Sequence, residues 1–369
     1  DLSVLKPSQL AEELTSPNPW RRLTAQRLLV ERQAADVSPS IRGRLPKAQQ
    51  TPGRVNLVWS LHGLGVLRPS DVQAVIHDPL AGVRENALRL AEPFLAESEP
   101  IRTAAMKLAD DPDPRVRFQF ALSAGELPAE QAADGLARVL TKDGADPWTA
   151  TAALSSATSC AAQLLGKLVE RPNPDLSLLA RIAGVIGASG KQPDVREVLG
   201  IAALGKTAPA TVAALLDGLG RGMQGRRTPL AVWLANPPGG AEEVIARLRE
   251  RFAKLAGVVG DDKASVADRV AAASLLAHSP FDTAGAALVA SLTPATPNEV
   301  QLAAVRALAA HTEPRVPDLL LAGWKGYGPA TRAAVIDVLL ARPDRVIALL
   351  AAIEKKEVPV AALSAAQVQ

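Results

Sequence analysis

Cys160, four histidines and one glycine-rich run are the residues of this chain whose types could do chemistry. A thiol nucleophile needs a base beside it, and covalent haem needs Cys-x-x-Cys-His. Cys160 is followed by Ala161-Ala162-Gln163 and has no histidine near it in sequence, so it reads as a small buried thiol. A single cysteine also excludes an internal disulfide framework and any multi-cysteine metal site. His62, His77, His278 and His311 form no i, i+3 or i+4 pair, so no helix-borne metal site is written. His62, just ahead of Gly63-Leu64-Gly65, reads as a helix-end residue capping carbonyls. Gly220-Arg221-Gly222-Met223-Gln224-Gly225 fits G-x-G-x-x-G letter for letter. A dinucleotide fingerprint needs a strand before it and a helix after it. Here a helical pattern precedes, and Pro229 and Pro237-Pro238 follow, so the run reads as a loop. Asp110-Asp111 and Asp261-Asp262 fall in turns, where carboxylates cap helices. No catalytic, cofactor-binding or metal-binding residue is assigned.

Two other sets of residues stand out. The first is a ladder, Arg22, Arg54, Arg84, Arg117, Arg181, Arg269 and Arg332, expected to bond a neighbouring Asp or turn carbonyls and so stack the repeats. The second is a loop from Gly218 to Gly240 carrying Arg221, Arg226, Arg227 and Trp233, a candidate interaction loop, because insertions in solenoids map to one face.

The elements that position them follow from an internal period. A Pro-bearing polar turn, then Val or Arg, then an Ala/Leu-rich helix recurs along the chain, as in Asn18-Pro19-Trp20-Arg21-Arg22 and Asp113-Pro114-Arg115-Val116-Arg117. Aligning Arg22, Arg54, Arg84, Arg117, Thr149, Arg181 and Val212 gives steps of 32, 30, 33, 32, 32 and 31 residues. Arg269, Gln301 and Arg332 continue at 32 and 31, after a gap of 57 that holds a loop and an extra helix. Two helices of about 11 residues and two short turns need roughly 30 residues. Pro suits the first turn of a helix, and Asp or Asn ahead of it accepts the free amides there. No run alternates long enough to argue a strand.

The expected fold is therefore all-α, an α-solenoid of about ten HEAT-like helical pairs. The expected organisation is a single array over 1–369. Regular repeats fill 1–217, an irregular loop and extra helix 218–260, regular repeats 261–342, and an unfinished terminal repeat 343–369. The absent N-terminal Met and the unfinished last repeat carry the expectation that the natural chain is longer. Trp20, Trp59 and Trp148 fall at or near helix starts in the repeat register and read as repeat packing. The composition agrees: 48% of residues are apolar and only 3% aromatic, thin for a β-sandwich or barrel. A formal charge of +3 demands neither nucleic acid nor a membrane surface, although Arg outnumbers Lys 29 to 12. The longest uncharged stretch, 147–166, is too polar to enter a membrane.

Three stretches are more specific than the repeat. They are Leu14-Thr15-Ser16-Pro17-Asn18-Pro19-Trp20-Arg21-Arg22-Leu23, Leu57-Val58-Trp59-Ser60-Leu61-His62-Gly63-Leu64-Gly65, and Val83-Arg84-Glu85-Asn86-Ala87-Leu88-Arg89-Leu90-Ala91-Glu92. Together they resemble the HEAT-repeat region of large "membrane-bound dehydrogenase-type" multidomain proteins of planctomycetes and their relatives, strongly to about residue 125 and loosely beyond. In that family a β-propeller resembling sugar dehydrogenases precedes the repeats and a cytochrome c-like haem domain follows them. The resemblance implies a periplasmic or secreted setting and an oxidoreductase parent. It carries over no catalytic residue and no cofactor to this segment.

The leading expectation is a non-catalytic scaffold that orients flanking domains of the same chain or binds another protein. The competing one is a nucleic-acid-binding HEAT-like protein whose arginine ladder faces a groove. A mild charge and few lysines argue against it. A free-standing enzyme would need convergent polar groups, and the sequence shows none.

Overall fold

The computed structural model describes residues 1–224, 230–364 and 367. Among these residues there is no β-strand, and helices joined by short turns account for the chain. The chain is an all-α solenoid of HEAT-like type, grouped into two compact units, Asp1–Leu168 and Val169–Gln369.

The first unit stacks five ladder helices, Pro19–Glu31, Thr51–Gly63, Ala81–Leu95, Pro114–Ser123 and Pro147–Ser156, each packed on the next. Their starts are set locally. Asn18 accepts the Trp20 amide at 2.9 Å, Asp113 accepts that of Arg115 at 2.9 Å, and Asp146 that of Thr149 at 2.7 Å. A proline occupies the first turn in four of the five, where its missing N–H costs nothing. A second row, including Pro7–Glu13, Ser38–Arg44, Pro69–Gln73 and Ala129–Asp143, backs the ladder. Leu29, Leu57, Leu61, Leu88, Val116 and Phe120 are buried between the rows. Each contributes about 1.5–3 kcal/mol, which no single pair could collect alone.

The second unit has the same logic. Its ladder runs Leu176–Ser189, Pro209–Gly222, Val266–Leu276, Asn298–Ala310 and Pro329–Leu340. The long gap in the period breaks neither row. Pro209–Gly222 still touches Val266–Leu276, and the 19-residue helix Glu242–Gly260 bridges Gln192–Ala203 and Phe281–Ala290 in the outer row. The insertion thus reduces to residues 223–241, whose described residues include the short helix Leu230–Ala235. The terminal helix Pro343–Glu354 follows the last ladder helix and leaves Ile347 and Leu350 exposed.

Leu176–Ser189 and Pro209–Gly222 meet at backbone contact. A Cβ on Gly218 would sit on the Ala180 carbonyl oxygen and 2.8 Å from the Ala183 Cβ. One on Gly222 would sit on the Gly184 carbonyl oxygen and 2.8 Å from the Ala188 nitrogen. Gly187 faces the Leu219 carbonyl oxygen in the same way. Small residues four apart on both helices let the two backbones touch.

Candidate functional site

The arginine ladder of the first unit forms a repeated unit of bonding. Arg84 forks onto Asp111, with Nε and Nη2 each 2.7 Å from a carboxylate oxygen. Its Nη1 donates back to the carbonyls of Asp78 and Pro79 at 2.8 and 3.0 Å. Arg117 repeats the geometry one copy later, on Asp143 at 2.5 and 2.7 Å and on the carbonyls of Asp111 and Pro112 at 2.6 and 3.1 Å. Arg54 pairs with Asp78 and donates to the Ala48 carbonyl at 2.7 Å. Each aspartate so held also accepts a backbone amide two residues on where the turn is Asp-Pro: Leu80 onto Asp78 and Asp113 onto Asp111, both at 2.9 Å. The carboxylates hold the guanidinium groups of Arg84 and Arg117 above their ordinary pKa, against a smaller opposing effect of burial. Arg22 has only turn carbonyls, those of Ser16 and Pro17 at 2.7 and 3.0 Å.

The second unit builds its ladder differently. Arg181 lies exposed on Leu176–Ser189. Arg269 is buried and donates to the Val259 carbonyl at 2.9 Å and to Asp262 at 3.0 Å. At the next position Gln301 takes over, reaching the carbonyls of Thr293 and Thr296 at 3.0 and 2.9 Å. Arg332 donates to the carbonyls of Trp324 and Lys325 at 3.1 and 3.0 Å and lies over the Trp324 ring. A buried chain adds to this: His311 Nε2 lies 3.1 Å from the Leu276 carbonyl, and Arg345 donates to the His311 carbonyl at 2.6 Å. Burial lowers the pKa of both His311 and Arg345. Arg84 and Arg117 are thus consumed by intramolecular acceptors and offer little to a phosphate.

The loop residues separate. Arg226 and Arg227 lie outside the described residues. Arg221 is exposed in the last turn of Pro209–Gly222. Trp233 is 4% exposed within Leu230–Ala235, so its ring is buried and offers little surface to a partner. Gly220 and Gly222 of the glycine-rich run are helical, and Gly222 serves the close approach of two helices.

The tryptophan placement differs from the expectation of repeat packing. Trp20 is 61% exposed and Trp148 75%, one near the start of the first ladder helix of the unit and one near the start of its last. Trp20 shares a solvent stripe with Leu23, itself 60% exposed, and with Arg27 and Glu31 at helical spacing. Trp59 is tethered, its Nε1 donating to Asn86 Oδ1 at 2.8 Å and its ring edge-on to His62 at 5.2 Å. Polar bridges join each ladder helix to the next: Asn56 to Gln26 at 2.8 Å, Ser123 to Glu92 at 2.7 Å, and Ser156 to the Leu122 carbonyl at 2.8 Å. The charges on these helices are paired locally, Arg27 with Glu31, Arg89 with Glu85 and Arg115 with Asp113. The sequence marks the helix positions of these rings but not which flank a neighbour covers.

Among the described residues, no group of three His, Cys, Asp or Glu side chains is placed to hold a metal ion, and no helix is long and apolar enough to cross a membrane. Cys160 is fully buried, and burial pushes its thiol up to about 11. The thiolate is the reactive form. Cys160 is therefore expected to react with a disulfide reagent such as DTNB only as fast as the protein unfolds. Rapid stoichiometric labelling of the folded chain would contradict its placement.

No family model matches the chain, and no curated protein matches it. Among solved structures, it is similar to the karyopherin Kap121p. The crystal structure of Kap121p superposes with a TM-score of 0.46 at 12% identity, over 95% of this chain and 47% of that one. Kap121p bound to Pho4p gives 0.44 at 12% identity, over 95% and 47%. Kap121p bound to the extreme C-terminus of the protein phosphatase Cdc14p gives 0.45 at 13%, over 95% and 48%. The chain spans about half the length of these solved chains.

Proposed function

We propose that this chain is a non-catalytic scaffold that docks protein, within a larger dehydrogenase-like, haem-containing protein of the periplasm or cell exterior. The observation that carries the docking role is the ladder-helix face of the first unit. Trp20, Leu23 and Trp148 stand exposed there while its charges are paired among themselves. Exposed tryptophans at fixed positions on a rigid stack are the residue type that anchors protein interfaces. The redox parent is supported by the three N-terminal signatures. The nucleic-acid reading loses part of its support, because Arg84 and Arg117 of the ladder are turned into the stack.

Hydrogen exchange compares this segment alone with the natural full-length chain. Added protection over residues 19–31 and 147–156 in the longer chain is the expected result. Equal protection there in both would remove the docking role. A natural chain without a downstream Cys-x-x-Cys-His would remove the haem parent and leave the docking result to stand separately.

A further inference from the structure

Two arginines of the first unit line the same cavity, and each keeps one guanidinium nitrogen without an acceptor among the described residues. Arg42 spends Nε and Nη2 on Asp71, at 2.8 and 3.0 Å, and Nη2 also reaches the Val66 carbonyl at 2.6 Å. Among the described residues its Nη1 has no acceptor. Arg54 spends Nε on Ala48 and Nη1 on Asp78, and its Nη2 has no acceptor either. Both side chains and both aspartates line a cavity of about 290 Å³, whose remaining walls are Leu45, Pro46, Ala74 and Val75.

The neighbouring rungs show what is missing. At Arg84 and Arg117 the carboxylate takes Nε and Nη2, and Nη1 is filled by two backbone carbonyl oxygens of a turn, at 2.6 to 3.1 Å. Arg42 and Arg54 each have their carboxylate but a single carbonyl oxygen, that of Val66 and of Ala48, and one nitrogen bonded to neither. Its charge is already balanced, two guanidinium groups against Asp71 and Asp78, which are buried. An added anion would lie against those carboxylates, whereas a neutral acceptor satisfies the open donors at no Coulombic cost. We infer that this cavity binds the backbone carbonyls of an uncharged peptide segment bearing a small apolar side chain such as proline. The apolar walls receive the side chain, and Arg42 Nη1 and Arg54 Nη2 donate to the carbonyl oxygens. Polar groups few in number on an otherwise apolar wall give such a pocket its orientation. The site shares no residue with the tryptophan face and stands or falls independently of it.

N-acetyl-L-proline methylamide is the probe, followed through the side-chain Nε–Hε NMR signals of the arginines. Saturable shifts at Arg42 and Arg54, with Arg84 and Arg117 unmoved as internal controls, are expected. Ala74 is exposed at the cavity. Ala74→Trp, which blocks the cavity, is expected to weaken binding at least tenfold while leaving the Arg84 signal in place. Ala74→Glu, which brings its own acceptor, is expected to do the same and serves should the bulkier variant fail to fold. Sodium acetate is expected to bind at least tenfold more weakly than the amide. Acetate binding tighter than the amide, no saturable shift with the amide, or undiminished binding in a folded Ala74 variant would each overturn the inference.

Discussion

Replacing Arg84 with methionine is expected to cost about 3–5 kcal/mol of stability, read as a lower urea midpoint. Methionine keeps the length and packing of the side-chain stem but removes every donor. The Asp111 carboxylate, 3% exposed, is then left with the Asp113 amide alone. A buried charge without its partner is far more costly than the pair was favourable. Two comparisons isolate that cause. Arg115→Met, two residues from Arg117 but with its side chain 68% exposed against Asp113, is expected to lose less than about 1 kcal/mol. Adding Asp111→Asn to Arg84→Met is expected to recover a large part of the loss, since no charge is stranded. Should Arg84→Met fall within 1 kcal/mol of the parent chain, the rungs hold nothing together.

Alanine at Gly218 is the second large effect, and here the sign is the test. In a helix interior alanine is ordinarily favoured over glycine by about 1 kcal/mol. At Gly200 and Gly257, both helical with nothing within 4 Å of an added Cβ, Gly→Ala is expected to stabilise by up to that amount. At Gly218 the methyl would occupy the position of the Ala180 carbonyl, so the two helices must part. The expected result is a loss of about 1–3 kcal/mol, read by thermal or urea unfolding. A stabilised Gly218→Ala would mean that the two backbones do not touch.

Much of the architecture is readable from the residues, because it is written locally. Proline in the first turn and Asn18, Asp113 or Asp146 ahead of it mark helix starts that the structure reproduces. The ladder arginines were expected to find an Asp or turn carbonyls, and Arg54, Arg84 and Arg117 take both. Which aspartate was a further signal in plain view, since Asp78, Asp111 and Asp143 follow their arginines by 24, 27 and 26 residues. Arg181 has no acidic residue at those offsets, and it lies exposed.

What was not legible depends on neighbours distant in sequence. The letters of Gly218–Gly225 describe a loop as well as a helix end. Only the approach of Leu176–Ser189 gives Gly218 and Gly222 their purpose. Trp233, read as part of a candidate interaction loop beside Pro237-Pro238, is buried. Trp20 and Trp148 sit in register with the repeat, and that register alone does not say that one side of the stack is left open.

The near-constant reach of the rungs, 24, 27 and 26 residues forward, bears on how such a chain can change length. Cutting out one whole period hands the preceding guanidinium an equivalent carboxylate and an equivalent turn, so the splice heals itself. Duplicating a period does the same in reverse. Loss of half a period strands both an acid and a base in the interior. Drift by unequal recombination is thereby quantised, and the stack of the first unit can be lengthened or shortened in steps of one copy without redesigning any junction.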